Sequence, residues 1–228
     1  MSDGKIRIFS LGDSALTVEF GKAVSPSLNK EAIALSTFFE NDPFPGFGES
    51  VPGYASATIF YDLVAVRRAF PDFSTAFEAV QHLALETLNQ LDLSNEGAAR
   101  HIEIPVHFDN ESALDLDYLT EASGLSPGKV IEIFTASTYR VFMLGFLPGF
   151  SYMGEVDDRI ATPRKPSPRL RVPKGSVGIA GKQTGVYSLE SPGGWQIIGR
   201  TDIEMFTRDA QSPSYLNPGD EVRFVAVK

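Results

Sequence analysis

YRVFMLGFLPGFSYMGEV, at residues 139–156, opens the stretch of sequence that decides the fold. PRKPSPRLRVPKGSVGIAGKQTG follows at residues 163–185, and SPGGWQIIGRT at residues 191–201. Glycine permits positive φ and proline fixes φ, so both residues shape turns, and apolar runs such as VGIA and WQII separate these turns. We therefore predict short strands joined by shaped turns, which is typical of a closed barrel or a sandwich.

The same stretch is basic although the protein is acidic. Seven basic residues and no acidic residue lie between Arg159 and Lys182, while the 228-residue chain has a formal net charge of −9. A cationic surface on an acidic protein typically faces a carboxylate, a phosphate or an acidic partner. The alternative is that these side chains pair with carboxylates elsewhere in the fold.

Upstream of residue 100 the pattern predicts a layer of strands and helices. Strand patterns occur at residues 6–8, 15–20 and 57–61. Ser25-Pro26 and Ser74-Thr75 are typical helix starts, because a hydroxyl caps the first turn and proline suits its first position. With a strand near residue 101, the order is close to β-β-α-β-α-β, which favours an α+β arrangement.

Two helices and then only strands are predicted beyond residue 100. The first helix ends at Gly124, and the second starts at Ser126-Pro127. HIEIPVHF, at residues 101–108, alternates as a strand. His101, Glu103 and His107 lie on its polar face, which could suggest a metal site. Neighbours two apart on a strand face are about 7 Å from each other, too far to share one ion comfortably, so we interpret this face as solvated. We place a domain boundary between an α+β domain at 1–97 and a β domain at 98–228.

Composition excludes several classes of protein. The chain has no cysteine, so it has neither disulfides nor thiolate metal sites. Its N-terminus lacks the apolar run of a signal peptide, and no run is long enough to span a membrane, so we expect a cytoplasmic protein. A pI near 4.9 argues against nucleic-acid binding.

Several standard catalytic motifs are absent from the sequence. GSVGIAGKQT, at residues 175–184, resembles a phosphate-binding loop, but Gln183 replaces the hydroxyl residue and no helix pattern follows. No zinc motif is present, and no histidine lies in the glycine-rich half to serve a Ser-His-Asp mechanism. We therefore predict an anion-handling surface without a metal.

The candidate residues for that surface combine charge with polar and aromatic groups. Arginines offer two-pronged hydrogen bonding, and lysines offer point charges. Trp195 and Tyr187 could equally belong to a core or a barrel wall, and Ser176 could be a turn hydroxyl. The predicted substrate or anion-binding residues are Arg164, Arg169, Arg171, Lys174, Ser176, Gln183, Tyr187 and Trp195.

These motifs resemble a known family. GDSALTVEFG at residue 12, VPGYAS at 51, IPVHFD at 104, LGFLPGFSYMG at 144, the stretch from 163, SPGGWQIIGRT at 191 and NPGDEVRF at 217 resemble the KipI / allophanate hydrolase subunit 1 family. That family includes the B subunit of bacterial ATP-dependent 5-oxoprolinase and is related to carboxyltransferase domain subdomains C and D. The resemblance implies an α+β ferredoxin-like N-terminal domain followed by an all-β cyclophilin-like barrel.

The resemblance also implies a function within a complex. The expected activity is ATP-driven hydrolysis of the cyclic amide 5-oxoproline to glutamate. The expected partners are an allophanate hydrolase subunit 2-type protein, which is the C component of 5-oxoprolinase, and a LamB/YcsF-type protein, which is its A component. ATP is expected on this chain or on a partner. Two alternatives stay open: a regulatory binding protein of the sporulation-kinase-inhibitor type, and half of a biotin-dependent carboxyltransferase of the urea or allophanate type.

Within this resemblance, Arg169, Arg171 and Lys174 are the candidates for a catalytic charge role, because cations stabilise an anionic transition state. The chain departs from its relatives at two positions. Phe134 stands where relatives carry a histidine, which fits a structural role for that position better than an acid or base. Lys174 stands where a small residue is more usual.

Overall fold

A computed structural model describes residues 6–91 and 99–227. The chain divides into two compact units, Met1–Ala98 and Ala99–Lys228. The domain boundary predicted between residues 97 and 98 lies outside the described residues and stays a prediction. None of the helices within the described ranges is long and apolar enough to cross a membrane.

The first unit packs helices against an antiparallel sheet. Its described elements are β1 (Arg7–Ser10), β2 (Ala15–Glu19), α1 (Pro26–Asn41), β3 (Phe47–Pro52), β4 (Ser56–Tyr61), α2 (Leu63–Ala69) and α3 (Ala76–Gln90). The strand order across residues 6–91 is β1-β2-β4-β3. The start of α3 is as predicted, since the Thr75 hydroxyl accepts a hydrogen bond from the Glu78 amide.

The prediction of a ferredoxin-like N-terminal domain is wrong. That fold runs β-α-β-β-α-β, and its last strand completes the sheet after the second helix. Here the four-stranded sheet is completed by β1, which comes first in the chain and forms a hairpin with β2. The strand at residues 101–106 pairs with β13 in the second unit and so adds nothing to the first sheet.

The second unit is built around a strongly curved sheet. Its described elements are β5 (His101–Val106), α4 (Leu116–Ser123), α5 (Pro127–Ala136), β6 (Thr138–Leu144), β7 (Ser151–Gly154), β8 (Arg169–Val172), β9 (Ser176–Ala180), β10 (Gln183–Val186), β11 (Ser191–Gly193), β12 (Gln196–Arg200) and β13 (Glu221–Ala226). Over residues 99–227 the larger sheet has the order β12-β9-β10-β7-β6-β13-β5. His107 and Arg200 exchange backbone hydrogen bonds of 2.8 and 3.0 Å, so the two edge strands meet and the barrel is nearly closed.

The prediction of an all-β barrel is also wrong. The barrel sheet is mixed, because β5 and β13 pair in parallel along six residues. Helices α4 and α5 belong to the same unit, and Leu119, Val130 and Phe134 from these helices lie in its main core. The helices therefore supply part of the core that an all-β barrel would fill from its strands alone.

Alternation along the strands gives the barrel sheet two different faces. Met153, Ile179 and Ile198 point into the main core. Tyr152 and Ile197, which neighbour them in sequence, point to the opposite face and pack in a separate aromatic cluster. The two-stranded sheet β8–β11 contributes Val172 to that cluster. This second face carries the candidate site.

Candidate ligand site on the second face of the barrel sheet

Aromatic side chains line a cavity of about 280 Å³ on the second face of the barrel sheet. We call it the aromatic cavity, and it is lined by Phe146, Phe150, Tyr152, Arg164, Pro168, Tyr187, Pro192, Gly193, Gly194 and Trp195. Of the predicted site residues, it brings together Arg164, Tyr187 and Trp195. Its volume is near the lower end of small-molecule sites, roughly 300–1,000 Å³, so it suits a small ligand.

Two glycines make room for the aromatic rings. A Cβ atom at Gly185 would lie 2.5 Å from the Ser151 carbonyl oxygen and 3.2 Å from the Trp195 ring. A Cβ atom at Gly193 would collide with the Tyr187 hydroxyl. Trp195 and Tyr187 are almost fully buried as a result. The core interpretation of these two residues is confirmed, and both also line the cavity, while their role in binding a ligand stays a prediction.

Arg164 supplies the charge of the aromatic cavity. Its guanidinium carbon lies 5.8 Å from the centroid of the Trp195 ring, in a cation–π arrangement. The backbone of Arg164 is held on both sides. The Pro163 carbonyl accepts a bond of 3.1 Å from the Gln196 side-chain amide, and the Lys165 N–H donates to the Gly194 carbonyl at 2.7 Å.

The other predicted cations each pair with a separate carboxylate. The pairs are Arg159 with Asp157, Arg169 with Asp115, Arg171 with Glu190, Lys174 with Glu204 and Lys182 with Asp158, at nitrogen–oxygen distances of 2.5 to 2.7 Å. Within 6–91 and 99–227, Arg164 is the member of the basic stretch without a carboxylate partner. The basic residues therefore do not gather around one concavity, and the anion-binding role of Arg169, Arg171 and Lys174 stays a prediction.

Asp115 ties the basic stretch to the barrel. It is 5% exposed and accepts hydrogen bonds from Arg169, Lys165 and the Ile197 amide at 2.7 to 2.9 Å. Burial raises the pKa of Asp115, but these hydrogen bonds outweigh burial and hold the pKa below its ordinary value. The carboxylate is thus ionised at neutral pH and anchors the segment that carries Arg164.

The remaining predicted polar residues, Ser176 and Gln183, are not among the residues that line the aromatic cavity with Arg164. Ser176 is buried in β9, and its carbonyl accepts the Tyr187 amide at 2.9 Å. Gln183 lies at the start of β10, after the turn at Gly181. The run at residues 175–184 is therefore strand, turn and strand, as predicted. Tyr187 does line the cavity. Burial raises the pKa of its hydroxyl, so the group stays protonated near neutral pH.

The aromatic residues Phe146, Phe150 and Tyr152 line the cavity but were not predicted as site residues. Phe146 has φ of 68°, in the left-handed region that a bulky side chain rarely adopts, and its ring is 60% exposed. Strain of this kind clusters at functional sites. The available signal was the aromatic spacing in GFLPGFSY, at residues 145–152.

The run at residues 175–184 does not form a phosphate-binding loop. A triphosphate site needs several converging donors, typically a glycine-rich loop before a helix and a lysine. Over residues 99–227 the only similar run is a β-hairpin, and the cations around it are already paired. No cluster of potential metal ligands occurs among the residues that the structure describes.

The chain is similar to known proteins along nearly its whole length. The sequence pattern of the family "carboxyltransferase domain, subdomain C and D" matches residues 6–216. The 5-oxoprolinase B subunit of Bacillus subtilis (strain 168) is 42% identical, over 98% of this chain and 93% of that protein. The 5-oxoprolinase B subunit of Escherichia coli O157:H7 is 37% identical, over 98% of this chain and 97% of that protein.

A solved structure agrees with the sequence matches. The crystal structure of TTHA0988 superposes with a TM-score of 0.80 at 34% identity, over 98% of this chain and 40% of that chain. This chain therefore spans about two fifths of the length of that protein. The family resemblance stated from the motifs is confirmed. The chain belongs to the carboxyltransferase domain, subdomain C and D, family.

Proposed function

We propose that this chain is the B subunit of an ATP-dependent 5-oxoprolinase, which hydrolyses 5-oxoproline (pyroglutamate) to glutamate. The observation that carries the proposal is the match, along nearly the whole chain, to two proteins named as B subunits of 5-oxoprolinase. The aromatic cavity supports it independently, because its volume and single uncommitted cation suit a small carboxylate.

The role of this chain in that reaction is to bind and orient. A lactam is a poor electrophile, so opening it requires an activated carbonyl and stabilisation of the charge that develops. Tyr187 and Arg164 supply hydrogen-bond donors at one place, while the described residues around the cavity offer no carboxylate or histidine base. The groups that activate the lactam and the water then come from partner proteins.

ATP belongs with the partners in this proposal. The cavity is small, and the other basic residues between Arg159 and Lys182 are paired with carboxylates. The expected partners are an allophanate hydrolase subunit 2-type protein and a LamB/YcsF-type protein. For these reasons we assign the nucleotide site and the hydrolytic chemistry to these partners.

Reconstitution tests the proposed function. The purified chain is combined with the two partner proteins, and glutamate formation from 5-oxoproline is measured with and without ATP. We expect glutamate only when all three proteins and ATP are present. A rate that does not fall when this chain is omitted contradicts the proposal, and heat-denatured chain is the matched control.

A second candidate function follows from the family description. A carboxyltransferase domain would exchange a carboxyl group with biotin on a carrier protein, and the matched family is described as such a domain. This function predicts that the chain captures a biotinylated carrier but not the same carrier without biotin. Equal capture of the two carriers removes this candidate.

A further inference from the structure

We propose that the aromatic cavity is the recognition site for a small planar cyclic amide that carries a carboxylate. Arg164 binds the carboxylate, and the lactam ring packs against the cavity wall formed by Trp195. This inference rests on the proposed function, because the name of the relatives supplies the ligand class. The chemistry of the ligand is that of 5-oxoproline, a five-membered lactam that carries one carboxylate.

The charge of the cavity matches a single anion. Six of the seven basic residues from Arg159 to Lys182 are paired with carboxylates in the described part of the chain, which leaves Arg164. A guanidinium can donate two parallel hydrogen bonds to one carboxylate. The Arg164 guanidinium lies over the Trp195 ring, which keeps it at the cavity, and its N–H groups stay available to a ligand. One free fork selects a monoanion over a triphosphate.

The backbone on both sides of Arg164 is held in place before any ligand arrives, and the Arg164 side chain itself is exposed. The backbone bonds at Pro163 and Lys165 hold both neighbours of Arg164 to the strand and loop that carry Trp195. The Lys165 side chain adds a bond of 2.9 Å to the buried Asp115. A backbone held on both sides reduces the entropy that the Arg164 segment loses on binding, which favours affinity.

The walls suit a flat ring. Trp195 and Tyr187 are buried and rigid, and they meet Phe150 edge to face at centroid distances of 5.4 and 5.3 Å. Phe146, exposed at the mouth, lies 5.5 Å from the Phe150 ring in a strained backbone conformation. The Tyr187 hydroxyl can donate a hydrogen bond to a carbonyl oxygen. A lactam offers such an oxygen together with a planar apolar face.

Tryptophan fluorescence gives a direct test, since Trp195 is the single tryptophan of the chain. The full-length protein is titrated with 5-oxoproline and with 2-pyrrolidinone, which has the same lactam but no carboxylate. Arg164→Gln is compared with Arg223→Gln, whose side chain is 60% exposed, lies 4.0 Å from Glu103 and is outside the cavity lining. Isothermal titration of the same proteins checks that the signal reports binding.

We expect saturable binding of 5-oxoproline and binding of 2-pyrrolidinone that is weaker by about tenfold or more, because a charge-assisted bidentate contact is lost. Arg164→Gln should weaken 5-oxoproline binding by a similar factor, and Arg223→Gln should leave it within about twofold. No saturable change in the unmodified protein, or equal affinity for the two lactams, overturns the inference. Carboxylate-dependent binding with no glutamate formed by the reconstituted assembly would overturn the proposed function alone.

Discussion

Asp115 accepts hydrogen bonds of 2.7 Å from both terminal nitrogens of Arg169. This contact connects the loop before α4 to β8 and encloses an ionised carboxylate that is almost inaccessible to solvent. Arg169 is therefore engaged within the protein, although the sequence made it a candidate for substrate charge. Within the basic stretch from Arg159 to Lys182, the cation for which the structure shows no carboxylate partner is Arg164, five residues earlier in the chain.

Removing the Asp115 charge should destabilise the second unit. Asp115→Asn leaves the half-buried Arg169 without its counter-ion, and breaking a buried pair in this way costs about 3 kcal/mol. Urea unfolding measures the loss. Asp117→Asn, an exposed change in the helix that follows Asp115, is the control and should cost less than about 1 kcal/mol. Equal stability of the two variants would show that the network contributes nothing.

The Asp115 network also predicts an acid dependence. Because the pKa of Asp115 is lowered in the folded state, its stabilisation is present above the ordinary pKa of the unfolded chain. That stabilisation is lost as the pH falls through the folded value. The difference in unfolding free energy between the unmodified protein and Asp115→Asn should therefore be constant near neutrality and shrink below about pH 4. A difference that grows as the solution is acidified contradicts this sign.

Filling the space at Gly193 should disturb the aromatic cavity. In Gly193→Ala the new methyl group collides with the Tyr187 hydroxyl, so the ring or the loop must shift at a cost of about 2 kcal/mol. Gly128→Ala is the control, since nothing lies within 4 Å of its Cβ position on an exposed helical turn. We expect the control to be neutral or stabilising by up to about 1 kcal/mol. Thermal unfolding together with Trp195 emission distinguishes them, and unchanged emission in Gly193→Ala would contradict the tight packing.

Phe134 lies in the main core, where relatives are expected to carry a histidine. Its ring stacks 5.0 Å from that of Phe224 and lies 5.2 Å from that of Tyr139. Phe134→His should cost about 2 kcal/mol, because an imidazole would be buried among apolar groups. The loss should deepen below about pH 6.5, where the unfolded chain binds a proton that the buried ring resists.

Phe134→Leu provides the matched control for that pH dependence. It removes ring contacts without adding a titratable group, so its stability loss should not vary between pH values on either side of the histidine pKa. Unfolding free energies at several pH values measure both variants. A Phe134→His protein that gains turnover in the assembled enzyme would contradict a purely structural role for this position.

Local features of the fold could be predicted because short-range chemistry decides them. Gly124 adopts φ of 68° at the end of α4, and the Ser126 hydroxyl accepts the Lys129 amide at the start of α5. Helix α2 was missed, since seven residues are too few to display an apolar stripe. Its start is marked only by Asp62, whose side chain accepts a hydrogen bond from the Ala65 amide. The sheet to which β5 belongs depends on pairing with β13, at the far end of the chain, and no local pattern reveals that partner.

The candidate site was predicted only in part for the same reason. The basic stretch contains no acid of its own, so sequence alone predicts an unpaired cationic surface. The carboxylates that pair with it, Asp115, Glu190 and Glu204, come from outside the stretch. Only the tertiary structure shows that Arg164, unlike the other cations of the stretch, has no carboxylate partner there. Trp195 and Tyr187 were identified, but their aromatic neighbours in the 145–152 turn were assigned to strands and turns alone.

Steady-state kinetics of the assembled enzyme with Arg164→Gln test the central claim, that this chain handles the lactam acid and its partners handle the nucleotide. The account predicts that KM for 5-oxoproline rises by about tenfold or more, because the carboxylate loses its charged partner, while KM for ATP changes by less than about twofold. An unchanged KM for 5-oxoproline, or a rise in KM for ATP instead, would contradict it.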